Sequence, residues 1–340
     1  MPGMRDATLR QLQIFASAAR TLSFSRTARE LYLTQPAVSM QVRQLEDRAG
    51  LPLFERMKRR LYLTQAGQEM ARHAAQVLRS LQDADEAFAA LRGLKGGRIA
   101  VVVTSTAKYF APKLVARFSR AHPEVEMRLL VNNREAVVRL LAANEVDLAL
   151  MGTPPKEVET VAAAFAPHPF VVIAPPEHQL AGRRVPLADL AGETFLVREP
   201  GSGTRAAMGR FFQERHVAVR VGMEMSSNET IKQAVMAGMG LSFISQHTVS
   251  LELATGQLAL VSADGLPVMR RWYVVQRREK RLSPAADAFR EFVLAEGGEF
   301  LRTWPLSLRL PRIPPGRSPD PAGRRPRGAE ARGTRTGSER

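Results

Sequence analysis

The chain has no cysteine in its 340 residues, and that absence removes disulfides, thiolate metal sites, cysteine nucleophiles and thiol redox sensing together. It also lacks any run of about 18 apolar residues, the length that a membrane-crossing helix requires. The polar start around Arg5, Asp6 and Arg10 carries no apolar stretch of the secretory kind. The expected setting is the cytoplasm, with no membrane partner. Acidic residues are in short supply: 33 Asp+Glu face 49 Lys+Arg, for a formal net charge of +16. A basic excess is a statement about partners rather than fold, so its distribution matters. Residues 1–95 hold 15 Lys+Arg against 9 Asp+Glu, residues 96–301 hold 24 against 21, and residues 302–340 hold 10 against 3. The excess sits at the two ends. Residues 302–340, rich in Pro, Gly and Arg, have too little apolar surface to offset the entropy of ordering and are expected to form a disordered basic tail. Such a tail either adds non-specific DNA affinity or is simply solvated. The six histidines (His73, His122, His168, His178, His216 and His247) are scattered, with no metal-ligand pair and no nucleophile-base grouping. No metal site, no catalytic residue and no enzyme activity is expected.

What is present begins at Thr8. Leu9, Leu12, Phe15, Ala16 and Ala19 recur at helical spacing, and Ser23 can cap a short second helix carrying Ala28 and Leu31. Thr34 can cap a third helix, with Pro36 tolerated in its first turn and Val38, Val42 and Leu45 forming a buried stripe. The opposite face then carries Gln35, Ser39, Met40 and Arg43, whose amide, hydroxyl and guanidinium groups suit base edges and phosphates in a major groove. Strand-like residues around Phe54 and Leu61, Tyr62 and Leu63 flank the basic turn of Arg56, Lys58, Arg59 and Arg60, which reads as a wing facing the minor groove or the phosphates.

The run TQPAVSMQVRQLEDRAGLPLFER, continuing through the basic turn to LTQAG, resembles the winged helix-turn-helix of the LysR-type transcriptional regulators. The rest of the chain to about residue 300 is similar to that family in length and plan, and only the tail falls outside it. The resemblance implies that Gln35 and Pro36 begin the base-contacting turn, that Ser39 and Arg43 meet phosphate, and that Arg56 and Arg59 form the basic wing. Ser25, Arg26, Thr34 and Lys58 complete the candidate DNA contacts. Met40 stands where some relatives carry a polar reader.

Thr64 can cap a long helix spanning 64–93, with Met70, Ala74, Val77, Leu81, Ala84, Phe88 and Leu91 spaced alternately four and three. That narrow stripe is the seam of a coiled coil, so residues 1–63 form the DNA-binding domain and the following helix is expected to pair two subunits. The alternative is an amphipathic helix packed on its own domain. The resemblance further implies a homotetramer built as a dimer of dimers, with RNA polymerase as a further partner.

Gly93, Gly96 and Gly97 mark a hinge, after which strand and helix patterns alternate through an α/β domain at 94–301. In open α/β sheets ligands gather at the carboxyl ends of strands. Candidate contacts for a small molecule are therefore Thr104, Ser105 and Thr106 after the first strand, Asn133 after the second, and Thr153 after the third. Later loops add Glu199, Gly201, Ser202, Gly203, Thr204, Arg205 and Asn228. Taken singly, each such hydroxyl or glycine is also an ordinary helix cap. The resemblance places these loops around a cleft between two lobes of the periplasmic-binding-protein type, lobe I at about 98–165 and 269–301 and lobe II at about 166–268. The amide-rich turn from Gly201 to Arg205 suits an anion, with Arg205 supplying charge. Gly201 and Gly203 have no glycine partner at 206, so the dinucleotide fingerprint is not met. No bound cofactor is expected. The phrases VVVTSTAKYFAP, FLVREPGSGTR and SSNETIKQAVMAGMGLSFIS are most similar to the RuBisCO-operon regulators within the family. This implies NADPH or a phosphorylated sugar or organic acid as effector, and a different metabolic operon with another effector is the alternative. A transport-type solute-binding protein would match residues 98–300 but would need export and would carry no recognition helix. A constitutive DNA-bridging protein would differ only in ignoring every small molecule.

Overall fold

The computed structural model describes residues 4–57, 60–91 and 96–303, apart from the side chains at 86, 87 and 89–91. Lys58, Arg59, Gly93, the Leu91 side chain and residues 304–340 of the basic tail lie outside the described residues.

Three helices open the chain: α1 (Leu9–Thr21), α2 (Phe24–Glu30) and α3 (Gln35–Ala49). Each starts where a hydroxyl relieves an unsatisfied amide of the first turn. Thr8 Oγ1 accepts from the Gln11 N–H while the Gln11 side chain accepts from the Thr8 N–H, and Ser23 and Thr34 accept from Arg26 and Ala37. Gly50, at φ 67°, ends α3 in the left-handed region that glycine enters without steric cost. Val38, Val42 and Leu45 are fully buried against Ile14, Phe15 and Ala18. The wing hairpin, β1 (Phe54–Met57) paired with β2 (Arg60–Leu63), is anchored by Phe54, whose ring meets Phe15 and Phe24 with centroids 5.4 Å apart in each pair.

The long helix α4 (Gln65–Leu91) follows, capped by Thr64, which accepts from the Gly67 N–H at 2.9 Å. Gly67 allows this close packing, since a Cβ there would stand 2.0 Å from the Leu53 carbonyl oxygen. The proposed seam divides in two. Met70 and Ala74 pack with Leu12, Phe15, Leu45 and Leu53 in the chain's own DNA-binding domain, so these two residues leave the dimer seam expected for them. Helix α1 lies alongside, and in this core Ala74 is fully buried and Met70 half-buried. Beyond that contact Val77, Leu81 and Phe88 are 43%, 42% and 60% exposed, and Ala84 is half-buried.

The second domain contains β3 (Gly97–Thr104), α5 (Ala111–Ala121), β4 (Val125–Asn132), α6 (Arg134–Ala142), β5 (Leu148–Met151), β6 (Thr160–Ala174), β7 (Arg184–Val185), β8 (Thr194–Arg198), α7 (Gly203–Gln213), β9 (Arg220–Met225), α8 (Asn228–Met236), β10 (Ser242–Ser245), α9 (Ser250–Ala254), β11 (Ala259–Ala263), β12 (Val268–Arg277) and α10 (Pro284–Thr303). One sheet runs β4-β3-β5-β12-β6-β11-β7, with β10 also on β6, and β8 pairs with β9 in a second. Two strands, β6 and β12, are antiparallel partners from Thr160↔Arg277 to Phe170↔Val268 and carry the chain between two lobes. The first lobe is built on Ile99, Val101, Phe110, Phe118, Trp272 and Phe289, the second on Val172, Phe195, Phe211, Phe212 and Phe243. Strand β6 is long, running 15 residues from Thr160 to Ala174. Its first half pairs with β12 over alanines and prolines whose own β propensity is low.

Candidate DNA-binding face and effector cleft

Burial of Val38, Val42 and Leu45 turns the other face of α3 outward. Gln35, Pro36, Met40 and Arg43 are exposed on it and Ser39 is half-buried. The Thr34 hydroxyl is engaged as the helix cap. A concavity of about 640 Å³ brings Ser25 and Arg26 of α2 together with Gln35 of α3 and Arg56 of the wing. Arg60, expected in the basic turn of the wing, joins them there with Tyr62, which was not expected as a contact. Guanidinium groups from α2 and from both wing strands therefore flank the N-terminal end of α3, and that is the arrangement needed to grip phosphates while the helix end addresses base edges.

The second site lies between the lobes. It is lined by Thr104, Ser105 and Thr106 at the end of β3, by Met151, Gly152 and Thr153 at the end of β5, and by Ser202, Gly203, Thr204 and Ala207 at the start of α7. Arg134 of α6, His168 and Phe170 of β6 and Arg270 of β12 complete the wall. No carboxylate is among these lining residues. His168 and Arg270 are direct cross-strand partners. The His168 ring stacks on Trp272 at 3.8 Å, and its Nε2 shares a 2.9 Å hydrogen bond with Ser245 Oγ. Its Nδ1 has no partner, and neither does the buried Nε of Arg270. Burial pushes the His168 pKa well below its ordinary value, so the ring is neutral. Gly152 is obligatory at this spot, because a Cβ would come 2.6 Å from His168 Nδ1. Arg134 donates to both oxygens of Glu157 at 3.2 and 3.3 Å. Two guanidiniums, the amides at the α7 N-terminus and hydroxyls on three sides make a surface whose chemistry suits an anion. The free space is about 30 Å³, so admitting a ligand requires the lobes or their side chains to yield.

Seven of the twelve anticipated cleft residues line this wall: Thr104, Ser105, Thr106, Thr153, Ser202, Gly203 and Thr204. Four others instead tie the lobes together around it. Buried Arg198 donates to both Glu199 oxygens at 2.7 and 2.9 Å, to Ser105 Oγ at 3.2 Å and to the Asn228 side chain. Asn228 Nδ2 donates to the Ser105 carbonyl at 3.3 Å, Asn133 Nδ2 to Glu199 at 3.4 Å, and the Glu135 N–H to the Gly201 carbonyl at 3.2 Å. Arg205 departs from its expected role as the charge on the ligand. Its guanidinium reaches back to the Arg198 carbonyl at 2.8 Å and out to Glu224 at 3.1 Å, because the first turn of α7 directs it toward β8 and β9.

Residues 9–68 match the family described as "Bacterial regulatory helix-turn-helix protein, lysR family", and residues 92–298 match "LysR substrate binding domain". The chain belongs to the LysR family. Among curated LysR-type relatives, the "RuBisCO operon transcriptional regulator" of Allochromatium vinosum is 53% identical over 290 residues, 85% of this chain and 96% of that protein. The "HTH-type transcriptional regulator CbbR" of Rhodospirillum rubrum is 51% identical over 287 residues, 84% and 96% of the two chains. A solved structure of the Synechocystis CcmR regulatory domain, in complex with 2-PG, is 41% identical with a TM-score of 0.57, covering 58% of this chain and 96% of that one. As a LysR-type protein the chain is a transcriptional regulator and not an enzyme. No helix among the described residues is long and apolar enough to cross a membrane.

The cleft residues that sequence reasoning missed, Arg134, His168 and Arg270, carry the charge and the unpartnered polar atoms. The one available signal was the proximity of His168 and Arg270 to the interlobe crossings.

Proposed function

We propose that this LysR-type regulator controls carbon-fixation genes of the RuBisCO class in response to a small phosphorylated organic acid held between its lobes. The observation that carries the reading is the cleft wall itself, with Arg134, Arg270 and the α7 N-terminus facing one space that no carboxylate lines. Relatives named for the RuBisCO operon support the target genes, and the CcmR domain in complex with 2-PG supports the ligand class. A compact acid is favoured over NADPH because the cleft must open far less to admit it than to admit a dinucleotide. The ligand acts by population shift: it replaces part of the Arg198-centred bridge, the lobes reorient, and the spacing of the DNA-binding domains on the promoter changes. Two subunits pair through the exposed part of the α4 seam at Val77, Leu81 and Phe88, and dimers pair again into tetramers.

The test is a footprint and affinity titration on the chain's own upstream DNA with 2-PG, phosphoenolpyruvate, ribulose bisphosphate and NADPH, at two salt concentrations. A shift with one of the small phosphorylated acids is expected. Indifference to all four, with sequence-specific binding intact, would remove the effector reading. Sedimentation of the Leu81→Glu, Phe88→Glu double variant tests the seam, with dissociation to monomers as the expected outcome.

A further inference from the structure

A buried charge cluster joins α4 to the effector domain on the side away from the cleft. Arg79 and Asp83 come from the helix, Asp147 and Lys280 from the first lobe. Arg79 donates to Asp147 and also lies 3.3 Å from Asp83. Lys280 Nζ stands 3.0 Å from Asp147 and 3.7 Å from Asp83, and donates to Asn144 at 3.1 Å. The second Asp147 oxygen accepts from the Ala100 N–H at 2.7 Å. Asp147 and Lys280 side chains are each only 4% exposed. Charges so far from water persist only when fully partnered, so this contact is geometrically exacting in a way that an apolar patch is not.

The elements that meet here are those that build the cleft. Ala100 lies on β3, whose far end carries Thr104, Ser105 and Thr106. Asp147 immediately precedes β5, which ends at Met151 and leads into Gly152 and Thr153. Lys280 follows β12, the crossover strand that bears Arg270 and Trp272. These three strands are adjacent in one sheet, in the order β3-β5-β12, and each spans roughly 13–30 Å between the two sites. The same three strands thus end in the cleft on one side and at the α4 helix on the other.

We propose that Arg79, Asp147 and Lys280 are positioning residues for the regulatory response: they latch the linker helix to the sheet, so that movement of the strand ends in the cleft is delivered to the helix that carries the DNA-binding domain. The inference rests on the cleft being the effector site, but the latch itself is measurable without any ligand. Hydrogen exchange on the full chain compares wild type with Arg79→Gln, which removes the helix-side charge, and with Asp147→Asn, which keeps the side-chain volume. In both variants the amides of residues 76–83 should exchange about tenfold faster or more, while those of residues 70–74, packed in the DNA-binding core, stay unchanged. No change at 76–83, or an equal rise throughout the chain, overturns the latch.

The second arm adds 2-PG and phosphoenolpyruvate. In wild type, protection should change both at residues 104–106 and 151–153 and at 76–83; in Arg79→Gln it should change only at the cleft, with ligand affinity held within about threefold. A helix response preserved in Arg79→Gln overturns the coupling role. Absence of any cleft response in wild type sinks the effector reading instead, and leaves the latch to stand or fall on the ligand-free comparison.

Discussion

The DNA-binding face and the effector cleft are made from similar residue types assembled in opposite ways. The face draws its residues from one stretch between Ser25 and Tyr62, and most of them are exposed. The cleft draws on segments from Thr104 to Arg270, and its decisive atoms are buried. A surface that reads a long polymer can be laid out along a single helix and hairpin. A site that encloses a small anion must bring donors from all sides, and only a folded sheet with its crossovers does that.

The largest test of this contrast is Trp272→Ala. It empties the fully buried wall between His168, Phe110 and the first-lobe core, and should cost about 3–5 kcal/mol. Calorimetry should show the effector domain melting earlier, while the DNA-binding domain, which shares no contact with Trp272 in its core, keeps its transition. A single transition moved as a whole would erase the distinction. Arg270→Ala should lose about 2 kcal/mol of effector binding, roughly thirtyfold, by removing a charge-assisted contact. Operator affinity without ligand should not change, and titration calorimetry with 2-PG checks both halves.

Acidity separates the regions as well. His247 is held down to about 4 by burial, and His168 is lowered by burial and by the neighbouring His247 and Arg270. The unfolded chain binds these protons near pH 6.5 and the folded chain does not. Stability is therefore intact above that value and falls as pH drops from about 6.5 toward 4, by up to about 1.4 kcal/mol per pH unit for each ring. Residues 1–63 contain no histidine and should show no such slope in that window. Chemical denaturation at pH 7.5 and 5.5, with His247→Gln as control, measures it; an equal loss in both domains would contradict the assignment.

On the DNA side, Gln35→Ala should cost about 1–3 kcal/mol of preference for the operator over random DNA. Arg43→Ala should weaken binding to all sequences and lower the salt slope by about 0.9. Uniform loss from both variants would mean that the face does not divide its labour. Thr34→Ala, removing the α3 cap, should give the smallest effect, about 1 kcal/mol in stability.

The uneven legibility of the two sites has the same cause. Val38, Val42 and Leu45 announce their buried face by spacing alone, and once they are inward Gln35, Ser39, Met40 and Arg43 must be outward. The loop ends at Thr104, Thr153 and Ser202 were legible too, since hydroxyls after strands and before helices mark where a sheet presents its carboxyl edge. Arg205 shows the limit. Its charge and its loop were readable, but nothing local says that its guanidinium turns to Glu224 and the Arg198 carbonyl. Met70 and Ala74 show it again: their spacing marks an apolar face, and the identity of the surface that covers it is not in the spacing.

By itself the sequence determined the helices of the DNA-binding domain, the polarity of its recognition face, the α/β character of residues beyond 96 and the family to which they belong. Those properties follow from periodicity, caps and turn residues, all of which act over a few positions. Only the tertiary structure decided that His168 and Arg270 are cross-strand partners with unpartnered nitrogens at the cleft. It alone decided that Asn133, Glu199 and Asn228 bridge lobes, and that Arg79 meets Asp147, 68 positions away. Those outcomes depend on strand register and on the packing of segments distant in sequence, and the energy that selects them appears only when the chain closes on itself.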